Sequence, residues 1–279
     1  MFIFKKIADL QNHLSDSNKD KKVGFVPTMG ALHNGHISLV QESILHNDLT
    51  IVSIFVNPTQ FDKKEDLDNY PSTINSDLEL LEKNNCDIVF LPSVSEMYGD
   101  NINSKSFDFD GLEHEMEGKF RDGHFDGVGT IVKKLLLAVN PDNAYFGEKD
   151  FQQLQIIKKL VEKEKMSIHI IGCPIYRELD GLAFSSRNIR LTDEQRKEAP
   201  LIYKTIREAK KRFEQYTIEE VNHWVANEFK KSQHLDLEYF TIADEKTLKT
   251  ATTIEKNKAY RAFIAVFAGK VRLIDNIHI

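Results

Sequence analysis

From Val23 onward, short apolar runs rich in β-branched residues alternate with stretches whose apolar positions recur at helical spacing. The runs Val23–Pro27, Thr50–Val56, Ile88–Pro92, Asn143–Phe146 and Ile168–Ile175 predict strands. Between them, Ile37–His46, Ile74–Asn84, Val128–Val139 and Asp150–Lys163 predict helices. Strand and helix in alternation bury both faces of a parallel sheet, so the chain predicts an α/β fold with a doubly wound parallel sheet. Ligands of such sheets bind beyond the carboxyl ends of the strands, which gives motifs just after strands the most weight. Ahead of the first strand, Met1–Leu14 sets Lys5, Lys6 and Asp9 among apolar residues at helical spacing. Asn101–Asp126 has no period and is rich in Gly, Asp and Phe, the pattern of a long ordered loop or lid.

After Arg177 the pattern changes. Thr192 with Gln195, and Thr217 with Glu220, stand at capping-box spacing and open helices over Asp193–Phe213 and Ile218–Lys231. Strand-like runs follow at Leu235–Ala243, Ala259–Phe267 and Val271–His278, the last two joined by a hairpin turn at Gly269 and Lys270. The chain therefore divides into residues 1–176, carrying the parallel sheet, and a smaller α+β domain at 177–279. A chain of 279 residues is long for one domain of about 100–150, which favours the same division.

Composition narrows the partners. With 41% hydrophobic and 29% charged residues the chain can bury a sizeable core. A net charge of -6 offers no excess of positive charge for a nucleic-acid backbone or an anionic membrane. No stretch approaches the roughly 18 apolar residues of a membrane span, and the N-terminus lacks the features of a signal peptide. Cys86 and Cys173 lie far apart with no ligand at metal spacing, so two buried thiols in a reducing cytoplasm is the expectation.

Four segments carry candidate chemistry. The first, Pro27 to His36, leaves a strand and enters a helix through Thr28, Met29, Gly30, Ala31, Leu32, His33, Asn34 and Gly35. A helix start there supplies unpaired N–H groups and a positive dipole end, and two imidazoles add donors suited to phosphate oxygens. The spacing matches neither the P-loop nor the dinucleotide fingerprint. In the second, Asn57-Pro58-Thr59-Gln60 follows the next strand, although Asn-Pro is also a common strand breaker. In the third, Gly147, Glu148, Lys149 and Asp150 open a helix, with Gln153 one turn beyond Lys149. A charged helix start is also the ordinary form of a solvated one. The fourth, Phe184, Ser185, Ser186 and Arg187, offers two hydroxyls and a guanidinium to a phosphate chain.

His33-Asn34-Gly35-His36 is similar to the His-x-Gly-His signature of the nucleotidyltransferase superfamily, and the four segments as a set resemble the pantothenate synthetases along nearly the whole chain. The resemblance implies a Rossmann-like domain that binds nucleotide and pantoate, and an ATP-dependent ligase joining pantoate to β-alanine through a pantoyl adenylate. It implies an ATP site at Met29 to His36, Gly147 to Asp150, Tyr176 and Phe184 to Arg187. His33, His36, Lys149 and Arg187 would act in catalysis, with His36 matching a proton donor of the family. Gln60 and Gln153 would hold pantoate, with Gln60 also near β-alanine, and Asp77 would lie near Mg²⁺, although an ordinary helix-surface Asp fits the pattern there equally well. A cytoplasmic homodimer is implied as well. Phe184 stands where the family usually carries Met, Tyr176 where a smaller aliphatic is common, and Asp122 where Pro usually precedes Gly123-His124. A nucleotidyltransferase with another acceptor and an inactive nucleotide-binding module remain alternative readings of the residues.

Overall fold

The computed structural model describes residues 1–17, 20–61, 67–68, 70 and 73–279. The chain forms two compact units: Met1–Glu148 with Gln152–Pro174, and Ile175–Ile279 with Lys149–Phe151.

The larger unit is built on a six-stranded parallel sheet in the order β1-β4-β3-β2-β5-β6. Its strands are β1 (Phe2–Phe4), β2 (Val23–Thr28), β3 (Leu49–Ile54), β4 (Ile88–Phe90), β5 (Asn143–Gly147) and β6 (His169–Cys173). Five of these coincide with the apolar runs, each to within about two residues. The sixth, β1, does not: the helical spacing of the first residues is satisfied by α1 (Ile7–Ser17), while Phe2–Phe4 pair with Ile88–Phe90 at the sheet edge. Three residues are too few to show a period, so tertiary pairing decides the state of that segment.

Helices α2 (Asn34–His46), α3 (Ile74–Lys83), α4 (Val94–Tyr98), α5 (His124–Val139) and α6 (Phe151–Lys163) follow or connect the strands. Val26, Val40, Val52, Leu81 and Val89 form the buried core between the sheet and its helices. The approach of α2 to β2 is close enough that a Cβ at Gly24 would lie 2.2 Å from Ser43 Oγ, so glycine is required there. Strand order runs outward from β2 through β3 and β4, then returns to the other side of β2 at β5. This reversal is a switch point, and β2 and β5 pair only at Gly24 and Phe25, so their carboxyl ends separate into a crevice.

The Asn101–Asp126 segment is ordered by short 3-10 turns at Leu112–His114 and Met116–Lys119 before α5 begins at His124. Gln152 holds those turns, donating to the carbonyls of Leu112 and Glu115 at 2.8 and 2.7 Å and accepting from Glu117 N at 3.0 Å.

The smaller unit is a three-stranded antiparallel sheet of β7 (Asp236–Asp244), β8 (Tyr260–Ala268) and β9 (Val271–His278), with helices packed on one apolar face. Gly269 has φ +60°, the conformation the two-residue hairpin turn needs. Both capping boxes form, at Thr192 and at Thr217. The helix expected over Asp193–Phe213 is instead two, α7 (Asp193–Glu198) and α8 (Leu201–Phe213). Pro200 has no N–H to give to the carbonyl four residues back, which ends the first helix and starts the second.

Candidate active site

In the larger unit, the chain leaves β2 at Thr28, whose hydroxyl donates to the Ser53 carbonyl at 2.7 Å and accepts from Gly30 N at 3.3 Å. Gly30 and Ala31 follow with φ +83° and +50°, turning the backbone back over the sheet edge. The turn is anchored by Asp77 on α3, which accepts from Ala31 N at 3.0 Å and Leu32 N at 2.8 Å. Asp77 also accepts from the Thr73 hydroxyl at 3.1 Å and is 2% exposed. It is thus a loop anchor in the interior, not a residue of the helix surface.

Helix α2 begins three residues earlier than its apolar period indicates, because His33 is its N-cap. His33 Nδ1 accepts from Gly35 N at 3.1 Å, and His36 Nδ1 accepts from His33 N at 3.3 Å, a reciprocal capping box made by two imidazoles. Using both Nδ1 atoms as acceptors places the proton of each neutral ring on Nε2. The rings lie 4.0 Å apart between centroids.

Beyond β3, Asn57 is 1% exposed and is the hub of a polar cluster. Its Nδ2 donates to Gln60 Oε1 at 3.0 Å and to the Gly127 carbonyl at 3.2 Å, while its Oδ1 accepts from Tyr98 at 2.6 Å and Thr59 at 3.2 Å. Because Asn57 occupies the Gln60 oxygen, the Gln60 NH₂ is turned the other way, to Met29 Sδ at 2.9 Å. A thioether is a weak acceptor, so this donor can be given to a stronger one. His124 Nδ1 contacts the Gln60 carbonyl at 2.9 Å and Arg121 contacts His124 Nε2 at 3.1 Å, so the start of α5 fixes the backbone of Gln60 as well. Gly127 is required by the same packing, since a Cβ there would lie 2.3 Å from the Thr59 carbonyl oxygen.

The structure therefore joins Met29, His33, His36, Gln60 and Asp77 within one unit at the carboxyl edge of the sheet. Gly147 ends β5 across the switch point from β2, followed by Glu148. Of the paired glutamines, Gln153 is half-buried while Gln152 is consumed by the Leu112–Glu117 turns. Asn57 and His124 are parts of this arrangement that the motif reading did not assign. Their signal in sequence is slight, an Asn before Pro and a His after Gly. Leu32 lies in the loop, held by its N–H to Asp77, and Asn34 is the first residue of α2.

In the smaller unit, Ser185 caps a 3-10 turn over Ser186–Arg190, accepting from Arg187 N at 3.2 Å. Tyr176 and Phe184 form a tilted ring pair with centroids 5.9 Å apart, and Phe184 N donates to the Tyr176 carbonyl at 2.9 Å. The two departures in side-chain type are therefore neighbours. Arg196 fixes the preceding hairpin through Asp180 and Glu178 at 2.6 and 2.7 Å, and the Asp180 carboxyl is held below its ordinary range although burial opposes this. Lys149 and Asp150 group with this unit, the ammonium 3.8 Å from the Asp150 carboxylate and its side chain 17% exposed.

Among the described residues no group of three His, Cys, Asp or Glu side chains converges as a metal cage. Asp77 already takes three hydrogen bonds in a buried position. The described residues therefore form no all-protein cage for Mg²⁺. Among the described residues, no helix is long and apolar enough to cross a membrane.

The family model of the pantoate-beta-alanine ligases matches residues 2–278. A pantothenate synthetase of Christiangramia forsetii is 58% identical over 258 residues, 92% of this chain and 91% of that protein. One from Flavobacterium psychrophilum is 55% identical over 279 residues, 99% of each chain. Among solved structures, pantothenate synthetase from Thermus thermophilus superposes with a TM-score of 0.91 at 34% identity, covering 99% of both chains. The pantoate-beta-alanine ligase of Francisella tularensis, complexed with beta-gamma ATP and beta-alanine, gives 0.81 at 38% identity, covering 100% of this chain and 97% of that one.

Proposed function

The chain belongs to the pantoate-beta-alanine ligase family, and from that membership we propose that it condenses pantoate with β-alanine at the expense of ATP, releasing AMP and pyrophosphate. The observation that supports the reading is the 2.9 Å contact of Gln60 Nε2 with Met29 Sδ, which brings an amide donor to the loop that leads into the two-histidine helix cap.

A carboxylate does not react with an amine at useful rates, because its oxygen is a poor leaving group. In the first step a pantoate carboxylate oxygen attacks the α-phosphorus of ATP, and the bond to the β-phosphate oxygen breaks with its electron pair going to pyrophosphate. In the second step the amine nitrogen of β-alanine attacks the acyl carbon. The carbon–oxygen bond to AMP breaks, and the amine loses a proton as the amide forms. No protein nucleophile is needed.

The protein's task is to stabilise charge on the phosphates. His33 and His36 would offer Nε2–H donors, their Nδ1 atoms being engaged in the cap. Lys149 and Arg187 would supply positive charge, and Ser185 and Ser186 hydroxyls. Gln60 and Gln153 would hold pantoate as neutral amides, which read both carboxylate and hydroxyl without trapping the acid in an ion pair. Met29 to Leu32, Asn34, Gly35, Gly147, Glu148, Asp150, Tyr176 and Phe184 would line the nucleotide. Mg²⁺ would arrive as the counter-ion of the triphosphate. Cytoplasmic location and homodimer assembly rest on the family resemblance alone; sedimentation equilibrium reads the second, and a monomer at cellular concentration would exclude it.

The test of the proposal is product analysis: AMP should appear only with pantoate present, and pantothenate only when β-alanine is added. Steady AMP release with some other acid and none with pantoate would favour a ligase of different substrate.

A further inference from the structure

The carbonyl of Lys149 accepts a hydrogen bond at 3.0 Å from Nδ2 of Asn276, a residue 127 positions away on β9 and 2% exposed. The Asn276 amide has no choice of direction. Arg261 Nη1 donates to its oxygen at 2.6 Å, and because a guanidinium has only donors, the NH₂ must face Lys149. Arg261 is fixed in turn: Nε reaches Glu245 at 2.8 Å, and the guanidinium lies over the Phe151 ring, 3.9 Å from its centroid. Phe151 also packs on Phe263, with centroids 5.9 Å apart. The tripeptide Lys149–Phe151 is thus gripped at its first residue by an amide and at its third by a stacked cation and ring. All of these residues belong to the same compact unit. Next to Asn276, Asp275 takes Arg177 in a two-pronged ion pair at 2.6 and 2.9 Å.

We infer that Asn276 is a positioning residue for the ligase reaction: it fixes the backbone from which Lys149 presents its ammonium, and Arg261 fixes the direction of the Asn276 amide. The inference rests on the reading of Lys149 as a cation that acts on the phosphates. A lysine is a point charge on a flexible stem, so its reach is set by its anchor. A misplacement of about 1 Å at a reacting centre costs on the order of 100-fold in rate.

The experiment is a double-mutant cycle on single-turnover adenylate formation by the full-length enzyme, with thermal melts and ATP binding in parallel. Asn276→Asp keeps the shape and the acceptor for Arg261 but sets an oxygen against the Lys149 carbonyl. Its rate should fall roughly 10- to 100-fold while ATP affinity stays within about threefold. Lys149→Ala alone should fall roughly 100- to 1000-fold, and the double variant should be no slower than Lys149→Ala. Losses that multiply in full, or a near-normal rate for Asn276→Asp, would overturn the inference. A near-normal rate for Lys149→Ala would instead overturn the reading of Lys149, and the inference with it. Should Asn276→Asp not fold, Asn276→Ser, too short to reach the Lys149 carbonyl, carries the same expectations.

Discussion

Replacement of Asp77 separates two roles that one carboxylate could play, loop anchor or metal ligand. The residue is 2% exposed and accepts N–H groups from both Ala31 and Leu32, at 3.0 and 2.8 Å. Hydrogen bonds to a charged group contribute roughly 1.5–3 kcal/mol each, so Asp77→Ala should cost about 3–6 kcal/mol, a large share of a typical domain's stability. Asp77→Asn keeps one acceptor but turns an NH₂ toward a backbone N–H, and should lose less. Urea denaturation gives the total, and hydrogen exchange at the Ala31 and Leu32 amides should show protection falling there first. Adenylate formation should slow in both variants at every Mg²⁺ concentration, because the His33 cap starts from the loop that Asp77 holds. If stability and amide protection were unchanged while the Mg²⁺ needed for half-maximal rate rose, the carboxylate would be a metal ligand and the anchor argument would be wrong.

Gln60→Ala and Gln153→Ala should each raise the pantoate KM about 5- to 150-fold, the effect of about 1–3 kcal/mol from one lost hydrogen bond, with unchanged KM in both variants excluding contact. Gly127→Ala places a Cβ 2.3 Å from the Thr59 oxygen and 2.9 Å from Gln60 Cα, so it should cost about 1–3 kcal/mol of stability and weaken pantoate use; a melt and KM identical to wild type would refute the packing. Burial pushes the Cys86 and Cys173 thiols up to about 12. An unfolded thiol ionises near roughly 8.5, so the stability linked to these groups is complete below that pH and is lost as pH rises toward their folded values, by about 1.4 kcal/mol per unit for each thiol. Denaturation midpoints should therefore fall less steeply above pH about 9 in a Cys86→Ala, Cys173→Ala variant than in wild type, and equal slopes would contradict the burial.

The fold was legible wherever a period was long enough to read. Buried parallel strands are continuous apolar runs, so β2 to β5 stand out, and the half-buried edge strand β6 is marked by Ile170 and Ile171, whereas β1 has three residues and is defined by its pairing with Ile88–Phe90. The start of α2 was hidden because histidine is an unusual cap, and its apolar period begins only at Ile37. Pro200 was visible, but the charged period on either side suggested one helix where there are two. At the site, the histidine loop and Gln60 could be read from their place after strands. The roles of Asp77, Asn57 and His124 could not, because each acts on backbone groups distant in sequence. Asp77 lies on a helix whose exposed and buried faces alternate with ordinary acidic residues, so nothing local distinguishes it from Glu79 or Glu82. The two adjacent glutamines show the same limit: composition treats Gln152 and Gln153 alike, and only the fold gives one to the Leu112–Glu117 turns.

The central claim, that an acyl adenylate forms at the histidine loop before any amine takes part, is tested most directly by isotope exchange between pyrophosphate and ATP. The enzyme is given ATP, labelled pyrophosphate and pantoate, with β-alanine withheld. The account predicts exchange that depends on pantoate and that falls in His36→Ala, whose ring would stabilise the phosphate charge in that step. Exchange that appears only when β-alanine is added would contradict it.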